Sequence, residues 1–387
     1  MKEKLVYIGS NIPDKTPAGV RVFANALALR DFGYDVKIIS KDIESVADFD
    51  QNEGIDTWHL KRANSTNEWI KALINIKAYT DIIDSIGNVK VVIAYELPSI
   101  AFLRLSNFCR RNGIKLICEA AEWQKWDNLG HLGIIARIIR LLDINNSMYY
   151  AYKQADGLIL TSNYFSRHFK GHIPSLVLPT LQCYRLDVPN TENVNSVRKF
   201  IYAGGIGYGK DMLHEIIVAF GHLAESPFEF IILGLTKQQY IERFSEDEVI
   251  INNINKLTDK IKFRGRVSHF EVLAELRKSD FALIIRENSH RNNMGFPTKF
   301  GESINCGTPV IVSEFSDVVY YTTKYNVGIV TDLDNIAGGI QQAINMDDNS
   351  LLKMRQRCIE CNAFYYKEHV DEVGEFVNTI LSNKHRL

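Results

Sequence analysis

The run Phe296-Pro-Thr-Lys-Phe-Gly-Glu-Ser-Ile-Asn-Cys-Gly-Thr-Pro-Val-Ile311 carries the residues best placed for chemistry. Its pattern predicts a short helix that opens after Pro297, is stopped by Gly307, and gives way to a strand from Pro309 to Val312. Lys299 and Glu302 are three apart and so lie on one helical face. A helix N-terminus presents unpaired N–H groups and a partial positive charge, so the turn Pro297, Thr298, Lys299 can hold a phosphorylated ligand. The plainer reading is a solvated lysine, and an acid favoured in a helix's first turn at about 0.3–1 kcal/mol.

A second candidate is Gly204-Gly205-Ile-Gly-Tyr-Gly-Lys210-Asp211, between a strand and a helix. Glycines let the backbone approach phosphate oxygens, and Lys210 supplies a mobile cation beside the helix N-terminus. Standing by itself, the loop is equally an ordinary tight turn. In the first half, Glu119 and Glu122 lie at the carboxyl end of a strand, in Cys118-Glu-Ala-Ala-Glu-Trp123. A carboxylate there can orient an acceptor hydroxyl or assist its deprotonation, or form a structural ion pair.

These positions need a scaffold. The chain has 387 residues, too many for one ordinary core, which predicts two domains. Strands at Lys4–Ile8, Val36–Ser40, Val89–Ala94, Lys115–Cys118 and Gly157–Thr161 alternate with helices at 20–31, 68–86 and 98–112. Such alternation means right-handed βαβ units and a parallel sheet. A polar stretch, 187–198, interrupts the pattern as a linker between residues 1–186 and 199–363. The alternation then restarts with strands at 200–203, 229–233, 261–263 and 281–285, and helices at 212–224 and 271–278. Ligands of such sheets bind at the carboxyl ends of the strands, where both candidate loops fall. Two helices are expected in the tail, 350–381.

Hydrophobic residues form 46% and charged residues 24% of the chain, which describes a globular protein. Forty-five basic against 46 acidic side chains leave a charge of −1, so no global field recruits nucleic acid. Six scattered cysteines fit reduced thiols in a cytoplasmic protein, and Cys358 and Cys361 lack the second pair that a zinc site needs. No segment reaches the ~20 apolar residues that span a bilayer. Residues 126–152 mix isoleucine and leucine with Arg137 and Arg140 at helical spacing, suited either to an anionic membrane surface or to packing on a sheet.

The wording of 296–311 resembles the nucleotide-sugar site of GT-B-fold glycosyltransferases of the family 4 type, particularly those that assemble bacterial surface polysaccharides. The resemblance implies two Rossmann-like domains facing each other across a cleft, and a last helix, within 364–387, crossing back to the first domain. It implies retaining, metal-independent transfer of a sugar from a nucleoside diphosphate sugar to a lipid-linked or polysaccharide acceptor at the cytoplasmic membrane face. No cofactor is implied. Glu302 matches the residue that grips the ribose, and Lys210 the lysine of the phosphate clamp. The clamp arginine falls on Gly205, so Arg286 or Arg264 is the expected replacement. The first acid of the family's pair falls on Met294. The resemblance further implies that Arg266 and Val267 face the nucleobase, against a plain connection in which Ser268 caps the next helix. Gly19 and Arg21 resemble a glycine-containing loop near the donor phosphates, Gly19 being otherwise a helix-start residue. A GT-B-shaped epimerase or phosphorylase, or a non-catalytic nucleotide-sugar-binding protein, shares the same fold.

Overall fold

The computed structural model describes residues 2–9, 16–42, 49–61, 65–123, 129, 133–185, 197–205, 210–243 and 248–383. The chain forms two compact units, Met1–Cys183 with Tyr365–Leu387, and Tyr184–Phe364. Most of the expected linker, 187–196, lies outside the described residues.

In the first unit the chain runs β1 (Lys4–Gly9), α1 (Pro17–Phe32), β2 (Asp35–Asp42), β3 (Phe49–Asn52), β4 (Ile55–Lys61), α2 (Thr66–Ile74), α3 (Lys77–Ile86), β5 (Val89–Tyr95) and α4 (Ser99–Arg111). Then come β6 (Lys115–Ala120), α5 (Ile134–Tyr149), β7 (Gly157–Leu160), α6 (Asn163–Phe169) and β8 (Ser175–Val177). The sheet order is β3-β4-β2-β1-β5-β6-β7-β8, and every pairing except β3 with β4 is parallel. Leu5 to Ile8 and Val91 to Ala94 are wholly buried, the continuous apolar run expected of strands covered on both faces. A single helix over 68–86 is not what forms. Asn75 ends α2 in extended backbone, and its Oδ1 accepts the N–H of Lys77 at 2.9 Å, an asparagine side chain competing with the helix ladder.

The second unit runs β9 (Arg198–Ala203), α7 (Leu213–His222), β10 (Phe228–Leu233), α8 (Lys237–Arg243), α9 (Glu248–Lys256), β11 (Ile261–Phe263), α10 (His269–Lys278) and β12 (Phe281–Ile284). There follow α11 (His290–Met294), α12 (Thr298–Asn305), β13 (Val310–Val312), α13 (Val318–Tyr325), β14 (Gly328–Val330), α14 (Ile336–Ile344) and α15 (Asp348–Glu360). All six strands pair parallel in the order β11-β10-β9-β12-β13-β14. Chain direction across the sheet reverses between β9 and β12, which makes the carboxyl ends of these two strands the topological switch point. Helix α16 (Val370–Ser382) belongs to the first unit, burying Val373, Val377 and Ile380, while the Lys115 ammonium donates to the Asn383 carbonyl at 2.8 Å.

Candidate functional site

Three loops of the second unit lie side by side because three adjacent parallel strands end together. The N–H of Gly204, after β9, donates to the Leu233 carbonyl at 3.0 Å, and the N–H of Gly234, after β10, to the Gly265 carbonyl at 2.7 Å. Gly234 has φ +110°, and a β-carbon there would stand 2.5 Å from the Gly204 carbonyl oxygen. Only glycine permits that approach of backbone to backbone. Residues 206–209 of the glycine-rich loop lie outside the described residues.

At the switch point sits Asp211, just before α7. Its Oδ1 accepts from Arg286 Nε at 2.7 Å and its Oδ2 from Lys299 Nζ at 2.8 Å, while the Tyr202 hydroxyl donates to Oδ2 at 3.0 Å. The Lys299 ammonium also stands over the Tyr202 ring, 4.4 Å from its centre, a cation–π contact, and the Arg286 guanidinium lies 5.5 Å from the Phe315 ring centre. Burial by itself would raise the Asp211 carboxyl, but the charges of Lys299 and then Arg286 prevail and hold it well below the usual carboxylate range. Burial lowers the Lys299 ammonium from its ordinary value, and Asp211 opposes that fall. A β-carbon on Gly204 would come 3.1 Å from Lys299 Nζ, which places the cation against the loop backbone. Gly205, exposed, has open space on its side-chain face.

Helix α12 opens as its sequence requires. Pro297 is the N-cap, Thr298 the first helical residue and Lys299 the second; the helix closes at Cys306, and Gly307 follows at φ +71°. Lys299 and Glu302 nonetheless reach different partners. The Glu302 Oε1 lies 3.0 Å from His269 Nε2, at the start of α10. That helix has a full capping box between Ser268 and Glu271, so capping, one of the two readings of this loop, is what the chain does with Ser268. Arg266 is exposed, and Val267 packs against the core. Lys210 adjoins Asp211, and its carbonyl accepts from Asn292 Nδ2 at 3.5 Å. Met294, at the end of α11, is 2% exposed, which removes it from the set of side chains that face outward.

In the first unit Gly19 lies in the opening turn of α1, its N–H donating to Thr16 Oγ1 at 3.1 Å. Arg21 is 2% exposed and turned inward. Its Nε donates to the wholly buried Glu119, and its Nη1 to the carbonyls of Leu178 and Pro179 at 3.0 and 3.1 Å. Asn25 Nδ2 adds a 3.0 Å bond to Glu119, and the Tyr7 hydroxyl a short one. Of the two roles considered for Glu119, this is the ion pair. Glu122 is half-buried beside Glu96, whose Oε1 accepts the N–H groups of Ala121 and Glu122 at 3.1 and 2.8 Å. Both carboxylates line a small pocket of about 40 Å³ with Arg140, Asp143, Ser147 and Tyr152, room for water and not for a sugar. Burial first, then the charge of Glu122, pushes the Glu96 carboxyl up to about 7.

Sequence reasoning passed over Asp211, Tyr202, Gly234, His269 and Glu96. Asp211 had a signal, an acid directly after the loop lysine at a helix start. Glu96 had a weaker one, its place after a buried strand.

The two parallel-sheet units are those of the GT-B fold. Residues 197–346, most of the second unit, match the family model described as Glycosyl transferases group 1. Similar solved structures include sucrose-phosphate synthase from Thermosynechococcus elongatus (14% identity, 98% of this chain and 100% of that one, TM-score 0.71) and a glycosyltransferase from Rickettsia africae (15%, 99% and 100%, 0.71). The catalytic domain of starch synthase IV from Arabidopsis thaliana, bound to ADP and acarbose, is similar at 10% identity over 99% and 100%, with a TM-score of 0.70. A search of curated proteins found no match. Fold and domain match together support a glycosyltransferase of the GT-B type.

Proposed function

We propose that the protein transfers a sugar from a nucleoside diphosphate sugar to a lipid-linked or polysaccharide acceptor, with retention of configuration and without a metal ion, in the building of a cell-surface polysaccharide. The observation that carries this reading is the pair of cations Lys299 and Arg286, both held by Asp211 at the switch point, with Lys299 against the Gly204 backbone, in the unit that matches the transferase family model. Two anchored cations, together with Lys210 and the α12 N-terminus with its Thr298 amide, answer the charge of a diphosphate. Arg286 stands in for the arginine whose usual place is Gly205. Glu302 holds the ribose, and Arg266 and Val267 border the base. On this reading the leaving diphosphate takes the proton of the incoming hydroxyl on the same face, while the protein positions and stabilises charge.

The first unit favours a peripheral place on the inner face of an anionic membrane. Ile134, Ile135 and Leu142 of α5 are 70%, 71% and 64% exposed, with Arg137 and Arg140 on the same helix. No helix among the described residues is long and apolar enough to cross a membrane. The portion of the expected contact at 126–128 and 130–132 lies outside the described residues.

A thermal-shift screen of nucleoside diphosphates and their sugars tests the donor site, since a ligand at a hundred times its Kd stabilises by about 2.7 kcal/mol. The best donor is then incubated with membrane lipid extract, and sugar incorporation is followed. No shift with any nucleotide at millimolar concentration would refute the donor site.

A further inference from the structure

Asp211 is a carboxylate placed among the cations of the diphosphate site described above, and a transferase that binds an anion has no direct use for a fixed negative charge there. We propose that Asp211 is a positioning residue of the transfer reaction, holding Lys299 charged and aimed along the Gly204 backbone and setting Arg286 beside it. This rests on the functional reading just given. Three observations carry it. The two oxygens are divided between the two cations, 2.7 Å to Arg286 and 2.8 Å to Lys299, so one carboxylate fixes both heads. The Tyr202 hydroxyl donates to the same oxygen as Lys299, and the Tyr202 ring underlies the ammonium, so carboxylate and ring together hold that head in place. All three ionic side chains are largely withdrawn from water, at 5% to 15% exposure.

Asp211 also favours the ammonium form of Lys299. Its charged neighbours are Asp211 before α7, Arg286 after β12 and Lys210 from the glycine-rich loop, with the Tyr202 ring beneath. Burial, Arg286 and Lys210 all favour loss of its proton, and Asp211 alone of these opposes it. A lysine without its proton would offer a diphosphate no charge.

The test reads Lys299 directly in the full chain, with lysines carbon-13 labelled at Cε and the Lys299 resonance assigned by its loss in Lys299→Arg. In Asp211→Asn the Lys299 titration should move to lower pH by about one unit or more. The alkaline limb of the kcat/KM profile should move with it, and Asp211→Glu should restore part of both. Arg286→Met should move the titration the other way, and it keeps the test open should Asp211→Asn fail to fold. An unmoved Lys299 titration in Asp211→Asn, or a downward shift in Arg286→Met, overturns the inference. Loss of kcat/KM by the same factor at every pH also counts against it, since that is the mark of structural damage. A wild type that binds no nucleoside diphosphate refutes the functional reading instead, and the titration still decides whether Asp211 holds the Lys299 charge.

Discussion

His269 Nε2 and Glu302 Oε1 stand 3.0 Å apart, joining the start of α10 to the second turn of α12. The contact fixes the carboxylate at the N-terminus of α10, with one oxygen engaged by the imidazole. A carboxylate held in this way can bridge two ribose hydroxyls through its remaining lone pairs, in charged hydrogen bonds of about 1.5–3 kcal/mol each. Glu302→Gln should therefore weaken the bare nucleoside diphosphate and its sugar alike, each by roughly ten- to a hundredfold. Calorimetry with both ligands checks this. An unchanged Kd for the nucleotide would place the ribose elsewhere.

Lys210 adjoins Asp211, and its charge is one of those that bear on Lys299. A lysine ammonium of this loop is most useful where charge develops, on the departing diphosphate. Lys210→Ala should lower kcat/KM by about a hundredfold or more, in the range for removal of one transition-state donor. Single-turnover rates at saturating donor separate this from a loss of binding.

The parallel sheets were legible in the sequence because both-face burial writes continuous apolar runs, such as Leu5–Ile8 and Phe230–Leu233. The hairpin partner β3 was not, since Phe-Asp-Gln-Asn is exposed throughout and offers no apolar period. The positions of Lys299, Glu302 and the Gly204 loop could be read from local spacing. Their connections could not. Asp211 to Lys299 spans 88 positions, Asp211 to Arg286 spans 75, and Arg21 to Glu119 spans 98, and no local pattern encodes such pairs. Arg21 shows the consequence. Sited in sequence like a ligand residue, it is spent on a buried carboxylate.

Glu96 makes a stability prediction whose sign follows from its raised carboxyl. The folded state keeps a proton up to about pH 7, whereas the unfolded chain releases it near the ordinary value of 4.5. The contribution of Glu96 is thus full below pH ~4.5 and is lost as pH rises through ~7, amounting to at most about 3 kcal/mol. Glu96→Gln carries a permanent neutral amide. Its Tm relative to wild type should rise by several degrees between pH 5 and pH 8. A Tm difference that is flat with pH would mean that Glu96 is ionised in the folded protein.

The exposed face of α5 supplies the last prediction. Ile134, Ile135, Ile138 and Leu142 expose between 46% and 71% of their surface, and Ile100 of α4 a further 46%. A face of that composition gains by entering an anionic interface, each fully buried aliphatic side chain contributing about 1.5–3 kcal/mol and each nearby arginine about 1 kcal/mol. In flotation with vesicles containing phosphatidylglycerol, the wild type should rise with the lipid at low salt. Ile135→Asp with Leu142→Asp should leave it at the bottom. Because both side chains already face solvent, the double variant should keep its Tm to within a degree or two. Equal flotation of the two proteins would assign the contact to another surface, and a wild type that stays at the bottom would leave α5 without a membrane role.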